Sequence, residues 1–251
     1  MKYMGSKNRI AKHILPIILQ NRTPDQWYVE PFVGGANIID KVTGNRKASD
    51  NNEHVIDALC FIRDGELPKN NKEFTEDSYN LAAKMAREGR LSGYNDGLAC
   101  YALIAFSFGA KWIGGWSRGK NSKGEQRDYV AEQYRANVKQ KPLLQGVWFE
   151  HASYDALDIP DNSIIYCDSP YKGTTQYKDK FDHEPYWEWC REQVKKGHDV
   201  FISEYNAPSD FVCVWQQELN CSIAKSGGHK KAIEKLFVHK SQVESDYESL
   251  Y

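Results

Sequence analysis

Strand-like and helix-like stretches alternate through roughly the first sixty and the last hundred residues of this chain, and few folds accept that alternation. WYVEPFVGGANIID reads as a short strand, a glycine turn and a helix. In RKASDNNEHVIDALCFIRDG, Asp50 and Asn51 stand in a loop before Val55, Leu59 and Ile62, which recur at helical spacing until Gly65. Further strands are expected at Val147–Phe149, Ile164–Cys167, Val200–Ser203, Phe211–Trp215 and Leu236–His239, with a helix in PYWEWCREQVKKG. The N-terminal MKYMGSKNRIAKHILPIILQ reads as a loop entering a helix whose second half Pro16 disturbs. An open, mostly parallel α/β sheet follows from this pattern, with ligands expected outside the carboxyl ends of its strands.

The middle of the chain has a different character. DSYNLAAKMAREGR, NDGLACYALIAFSFGA and DYVAEQYRANVKQ are helical in pattern, and KWIGGWSRGKNSKGEQR is a basic, glycine-rich loop or hairpin. Residues 62–145 therefore read as a mainly helical insertion, leaving 1–61 and 146–251 as one discontinuous domain.

Net charge is −1, which excludes a global basic field, so any polyanion must be met by local patches. Cys60, Cys100, Cys167, Cys190, Cys213 and Cys221 form no CxxC pair and no Cys/His ligand spacing. Reduced thiols and no metal are expected. His13, His54, His151, His183 and His198 have no spacing with cysteines or acids that suggests catalysis. ILPIILQ is too short for a membrane span, and a cytoplasmic protein without membrane partners is expected, as a monomer or weak dimer.

Three stretches could carry chemistry. In VEPFVGGANI a strand ends in an acid and turns on Gly34 and Gly35, where a backbone can approach a ligand closely. Asp50 lies fifteen residues beyond Gly35, at the end of a second strand, where a carboxylate can accept both hydroxyls of a ribose; a solvated helix-start aspartate reads the same way. KYMGSKNR clusters Lys2, Tyr3, Lys7 and Arg9 around Gly5, which also describes an ordinary charged arm. In YCDSPY, a buried strand delivers Asp168, Ser169, Pro170 and Tyr171 into a polar loop. Pro170 holds Ser169 extended, so one acceptor carboxylate stands beside one aromatic face. An exocyclic amine on a flat ring would be recognised by that pair, although a plain strand exit looks alike.

Together KYMGSK, EPFVGGANI, ASDNN and YCDSPY, with VFISEYN and SGGHKKAIEKLFVHK behind them, resemble the DNA adenine methylases of the Dam type across nearly the whole chain. The resemblance implies a class I methyltransferase fold: a Rossmann-like, doubly wound sheet with an inserted DNA-recognition domain. It implies methyl transfer from S-adenosylmethionine to N6 of a flipped adenine in double-stranded DNA. Tyr3, Lys7, Glu30, Pro31, Phe32, Gly34, Asp50, Asn51 and Asp168 would hold the cofactor; Asp168, Ser169, Pro170 and Tyr171 would be catalytic. Apart from the resemblance, Asp155, in the Tyr154–Asp155 pair before Ile159-Pro160, is placed to approach the cofactor's adenine at a strand end, and a solvated surface acid reads nearly the same way. Two departures stand out. Ala36 occupies a position where many members carry glycine, and Ser169 replaces the first proline of the family's Asp-Pro-Pro-Tyr motif. Methylation of cytosine N4 and a DNA-binding homologue without catalysis are the alternatives.

The resemblance also places a recognition hairpin at the basic segment, where Lys111, Trp112, Trp116, Arg118, Lys120, Lys123 and Arg127 would meet DNA. Cations pair with phosphates, and an aromatic ring can fill the gap left by a flipped base. Lys230 and Lys231, beside Lys225 and His229, form a second candidate phosphate contact. The aromatic run Tyr186, Trp187, Trp189 reads as core.

Overall fold

The computed structural model describes residues 1–91, 96–170, 181–221 and 230–243, with backbone alone at 219–221 and 230–232. The elements run α1 (Ala11–Ile18), β1 (Tyr28–Glu30), β2 (Arg46–Asp50), α2 (Glu53–Asp64), α3 (Glu76–Arg87), α4 (Gly97–Ala105), α5 (Tyr129–Gln140), β3 (Val147–His151), β4 (Ile164–Cys167), α6 (His183–Lys195), β5 (Asp199–Glu204), β6 (Phe211–Cys221) and β7 (Lys230–His239). The seven strands form a mostly parallel sheet in the order β3-β2-β1-β4-β5-β7-β6. Strand number climbs outward from the β1/β4 pair through β2 and β3 on one side and through β5 on the other, as in a doubly wound sheet, and only the antiparallel β7–β6 pair at the edge reverses it. The mixed α/β class expected from the alternation is thus what the chain adopts.

The chain divides into two compact units, Met1–Ala11 with Val33–Tyr154, and Lys12–Phe32 with Asp155–Tyr251. In the first, β2 and β3 pair in parallel from Arg46 opposite Val147 to Asp50 opposite His151. α2 packs on α4 and α5, burying Val55, Leu59, Ile62, Tyr101 and Leu103. α2 runs unbroken through residues 61 and 62 because its apolar positions continue at helical spacing and Gly65 caps it.

In the second unit, β1 pairs β4 and β4 pairs β5 in parallel; Ile164, Ile165, Tyr166 and Cys167 are each almost fully covered. A strand covered on both faces needs such an unbroken apolar run. β7 then runs antiparallel to both β5 and β6, and the β6–β7 pairing carries a bulge between Cys213 and Trp215. Tyr186 and Trp187 of α6 are buried as expected of core, while Trp189 is half-buried.

The sequence and structure part company after the glycine turn. The helix expected there is a single 3-10 turn at Ile39–Lys41, because Ala36 sits in left-handed backbone (φ 54) and stops an α-helix from forming there. Pro16 lies in the second half of α1, which ends at Ile18.

Candidate functional site

Each of the parallel strands β1, β2, β4 and β5 ends on, or immediately before, an acid: Glu30, Asp50, Asp168 and Glu204. Two groups of predicted residues form around these strand ends, one in each unit.

In the first unit the glycine turn and the end of β2 are tied together. The backbone N–H of Gly34 donates to Asp50 Oδ2 at 3.1 Å, and that of Asn52 donates to Asp50 Oδ1 at 3.0 Å. Asn52 in turn caps α2, its side chain accepting from His54 N at 3.1 Å. Asp50 is thereby fixed with both oxygens aimed by backbone amides. Burial raises its carboxyl from 3.8 to about 6, and the two amide donors and His151 pull the other way without winning. Gly34 has φ +48, and a Cβ there would stand 2.9 Å from Tyr3 Cδ1. A Cβ on Gly35 would meet Met1 O at 2.3 Å. The glycines are required because the N-terminal arm lies directly on the turn. Asn37 Nδ2 donates to Met1 O at 2.9 Å, and the Met1 amine donates to Gly35 O at 2.7 Å and to Gln140 Oε1. Lys7 is buried, with Nζ donating to Gly5 O at 3.3 Å. Asn51 is exposed beside Asp50.

Gln140, at the end of α5, was not singled out by the sequence. Its Nε2 donates to Gly35 O and Ala36 O, both at 3.1 Å, and to Asp40 Oδ2 at 2.9 Å. One buried amide thus braces the whole turn. A glutamine on a polar-looking helix carries no local sign of that task.

In the second unit, Glu30 is buried and accepts a hydrogen bond from Tyr28 Oη at 2.9 Å. Tyr166 bonds Ser203 Oγ at 2.8 Å, and its phenol is pushed well above the usual value, first by burial and then by the nearby charge of Asp168, with Glu30 adding to it. Asp168 and Glu30 thus both act on the Tyr166 phenol through their charge. Pro170 follows Asp168 and Ser169 out of β4, and Ser169 is only 2% exposed. The Ser169 hydroxyl lies towards Tyr186 yet reaches no partner at hydrogen-bonding geometry. Phe32 meets Phe181 and Tyr186 edge-on, with ring centres 5.8 and 5.7 Å apart, and Pro31 is buried behind it. Asp155 is exposed. Tyr171 lies outside the described residues, as do Lys225 and His229; Lys230 and Lys231 are described as backbone of β7.

The basic segment of the first unit is more ordered than its composition suggests. Lys120 bridges Gln126, and Asn121 Oδ1 accepts from Lys123 N at 2.9 Å and Glu125 N at 3.1 Å, closing a short hairpin. Lys111, Lys120 and Lys123 are exposed. Arg118 pairs with Glu76, and Arg127 Nε donates to Glu132 Oε1 at 2.8 Å while its guanidinium lies over Tyr129. Trp116 packs edge-on against Tyr79 at 5.6 Å and Phe106 at 6.1 Å, and Tyr79 Oη accepts from Gly115 N. Trp112 stacks flat on His54, with centres 4.2 Å apart. Both tryptophan rings thus have partners within the unit.

No family model matches the chain. It is 25% identical over 225 residues to the Type II methyltransferase M.FokI of Planomicrobium okeanokoites. This chain is similar to a Type II methyltransferase. The match takes in 80% of this chain and 33% of M.FokI, so the chain spans about a third of that relative's length. No described helix is long and apolar enough to cross a membrane.

Proposed function

We propose that this chain is an S-adenosylmethionine-dependent methyltransferase acting on an exocyclic amine in double-stranded DNA, with adenine N6 as the target. The observation that carries the reading is Asp50: a carboxylate at a parallel-strand end, aimed by two backbone amides, beside a glycine turn into which no Cβ fits. Similarity to M.FokI supports the same class.

The residues fit the cofactor. Asp50, held with both oxygens directed, suits the two hydroxyls of a ribose, with Asn51 beside it. Tyr3 and Lys7 belong to the arm that covers the turn at Gly34. Glu30, Pro31 and Phe32 are assigned the methionine portion, and Asp155 the adenine end. S-adenosylmethionine, when bound, supplies a methyl group that is already electrophilic.

The protein's part is orientation. An aromatic amine is a poor nucleophile because its lone pair is delocalised into the ring. Asp168 and the main-chain carbonyl of Ser169 are both acceptors, and two N–H bonds to them favour a tetrahedral nitrogen with its lone pair freed. Pro170 stiffens the loop that presents both. Tyr171 is assigned to stacking on the flipped base. The second acceptor is a backbone atom, so Ser169 satisfies the chemistry as proline would. Asp168 at the first position of the motif is what favours adenine over cytosine N4.

Residues 62–145 are assigned target recognition, with Lys111, Lys120 and Lys123 offering exposed cations to phosphates. Arg118, Arg127, Trp112, Trp116, Lys230 and Lys231 complete the proposed DNA surface. Incubation with labelled S-adenosylmethionine and unmethylated DNA, followed by nucleoside analysis, tests the proposal. N6-methyladenine is expected. N4-methylcytosine would change the substrate, and cofactor binding without any DNA product would select the non-catalytic homologue.

A further inference from the structure

His54 and Asp57 occupy consecutive turns of α2, and Cys100 projects from α4 against them. Cys100 Sγ is 3.7 Å from His54 Nδ1 and 4.0 Å from Asp57 Oδ2, and one ligand atom from each of the three lies within 4.8 Å of the others. A tetrahedral zinc ion, with bonds of about 2.3 Å to sulfur and about 2.0–2.1 Å to nitrogen or oxygen, holds its ligand atoms roughly 3.5 Å apart. The three side chains are therefore within small rotamer adjustments of a ligand set.

From this geometry we infer that His54, Asp57 and Cys100 form a site for a single tetrahedral divalent ion of the zinc type, clipping α2 to α4 and leaving a fourth position for water. Several surrounding features fit that occupant. Nδ1 of His54 faces the sulfur while Nε2 stands 4.0 Å from Glu53 Oε1, so a carboxylate lies on the far side of the ring from the ion. Cys100 is fully buried, whereas His54 and Asp57 are half-buried, which gives the ion an entry side. Binding of the ion sends the Cys100 thiol proton to solvent. A soft sulfur with one nitrogen and one oxygen selects zinc or cobalt over magnesium or calcium.

Trp112 lies flat on the His54 ring, which links the ion to the start of the basic segment. This gives the site a second, local reporter.

The test uses the full chain, stripped with a chelator and titrated with Co²⁺, then with Zn²⁺ in competition. Expected are the visible absorption of tetrahedral cobalt, a near-ultraviolet thiolate-to-cobalt band, and a change in tryptophan fluorescence that Trp112→Phe removes. Zn²⁺ at about 100 times its Kd should raise Tm by about 5–10 °C. Cys100→Ser should abolish the thiolate band, and Asp57→Asn, at a half-exposed position that folding tolerates, should weaken Co²⁺ binding at least about tenfold. Octahedral cobalt without a thiolate band, or a spectrum unchanged in Cys100→Ser or Asp57→Asn, would overturn the inference.

Discussion

Replacing Asp50 with asparagine separates what this carboxylate costs the fold from what it does for a ligand. Below 3.8 the carboxyl is protonated in folded and unfolded chains alike and costs nothing. Between 3.8 and about 6 the unfolded chain ionises while the folded one resists, so stability falls as pH rises; above about 6 the full penalty applies. The gap between 3.8 and about 6 corresponds to about 3 kcal/mol at pH 8, and about half of it has gone by pH 5. Asparagine cannot ionise, so it escapes the penalty. It also keeps only one acceptor for the two amides of Gly34 and Asn52, a loss of about 1–3 kcal/mol that does not depend on pH. Asp50→Asn is therefore expected to be equal to or up to about 2 kcal/mol more stable than the parent at pH 8, and to lose about 1.4 kcal/mol of that relative stability by pH 5. Urea unfolding of both proteins at pH 5 and 8, followed by far-ultraviolet circular dichroism, measures the difference directly. A pH-independent difference, or one growing towards acid, would refute the assignment of the penalty to this group. The same variant should bind S-adenosylmethionine at least about tenfold more weakly, because an amide cannot accept from two ribose hydroxyls.

Gly35→Ala places a methyl 2.3 Å from Met1 O and 2.5 Å from Asn37 Nδ2, so the N-terminal arm must move; a loss of about 1–3 kcal/mol should lower Tm by about 2–12 °C in a thermal melt. Ser169→Ala removes a buried hydroxyl that lacks a partner and should gain about 1 kcal/mol while leaving methyl transfer within about threefold, since the proposed acceptor is the carbonyl. A hundredfold loss in Ser169→Ala, or a gain of orders of magnitude in Ser169→Pro, would contradict that role. Alanine at Lys111, Lys120 and Lys123 together should flatten the slope of log DNA affinity against log salt by about 2–3. Arg118→Ala and Arg127→Ala should each change that slope less, because those guanidiniums already pair with Glu76 and Glu132.

The sequence by itself determined the class of fold and the strand ends. Ile164–Cys167 reads as a buried strand from its short apolar run and the loop residues after it, and Val55, Leu59 and Ile62 as one face of a helix, because side-chain patterning is a local property of the backbone. The same locality exposed Asp50 and Asp168 as strand-end acids beside loop-forming residues. Tertiary structure alone decided what those residues meet. Gln140 reaches the glycine turn across 104 residues, from a helix with no distinguishing pattern. His54 finds Cys100 across 46 residues, so their pairing has no sequence spacing to betray it. The left-handed backbone at Ala36 is imposed by the turn's closure against the arm, not by alanine's own preference, which is why a helix was expected where only a 3-10 turn forms. Local chemistry fixes which way a chain runs. Only packing brings distant side chains within ångströms, and a site is made of such meetings.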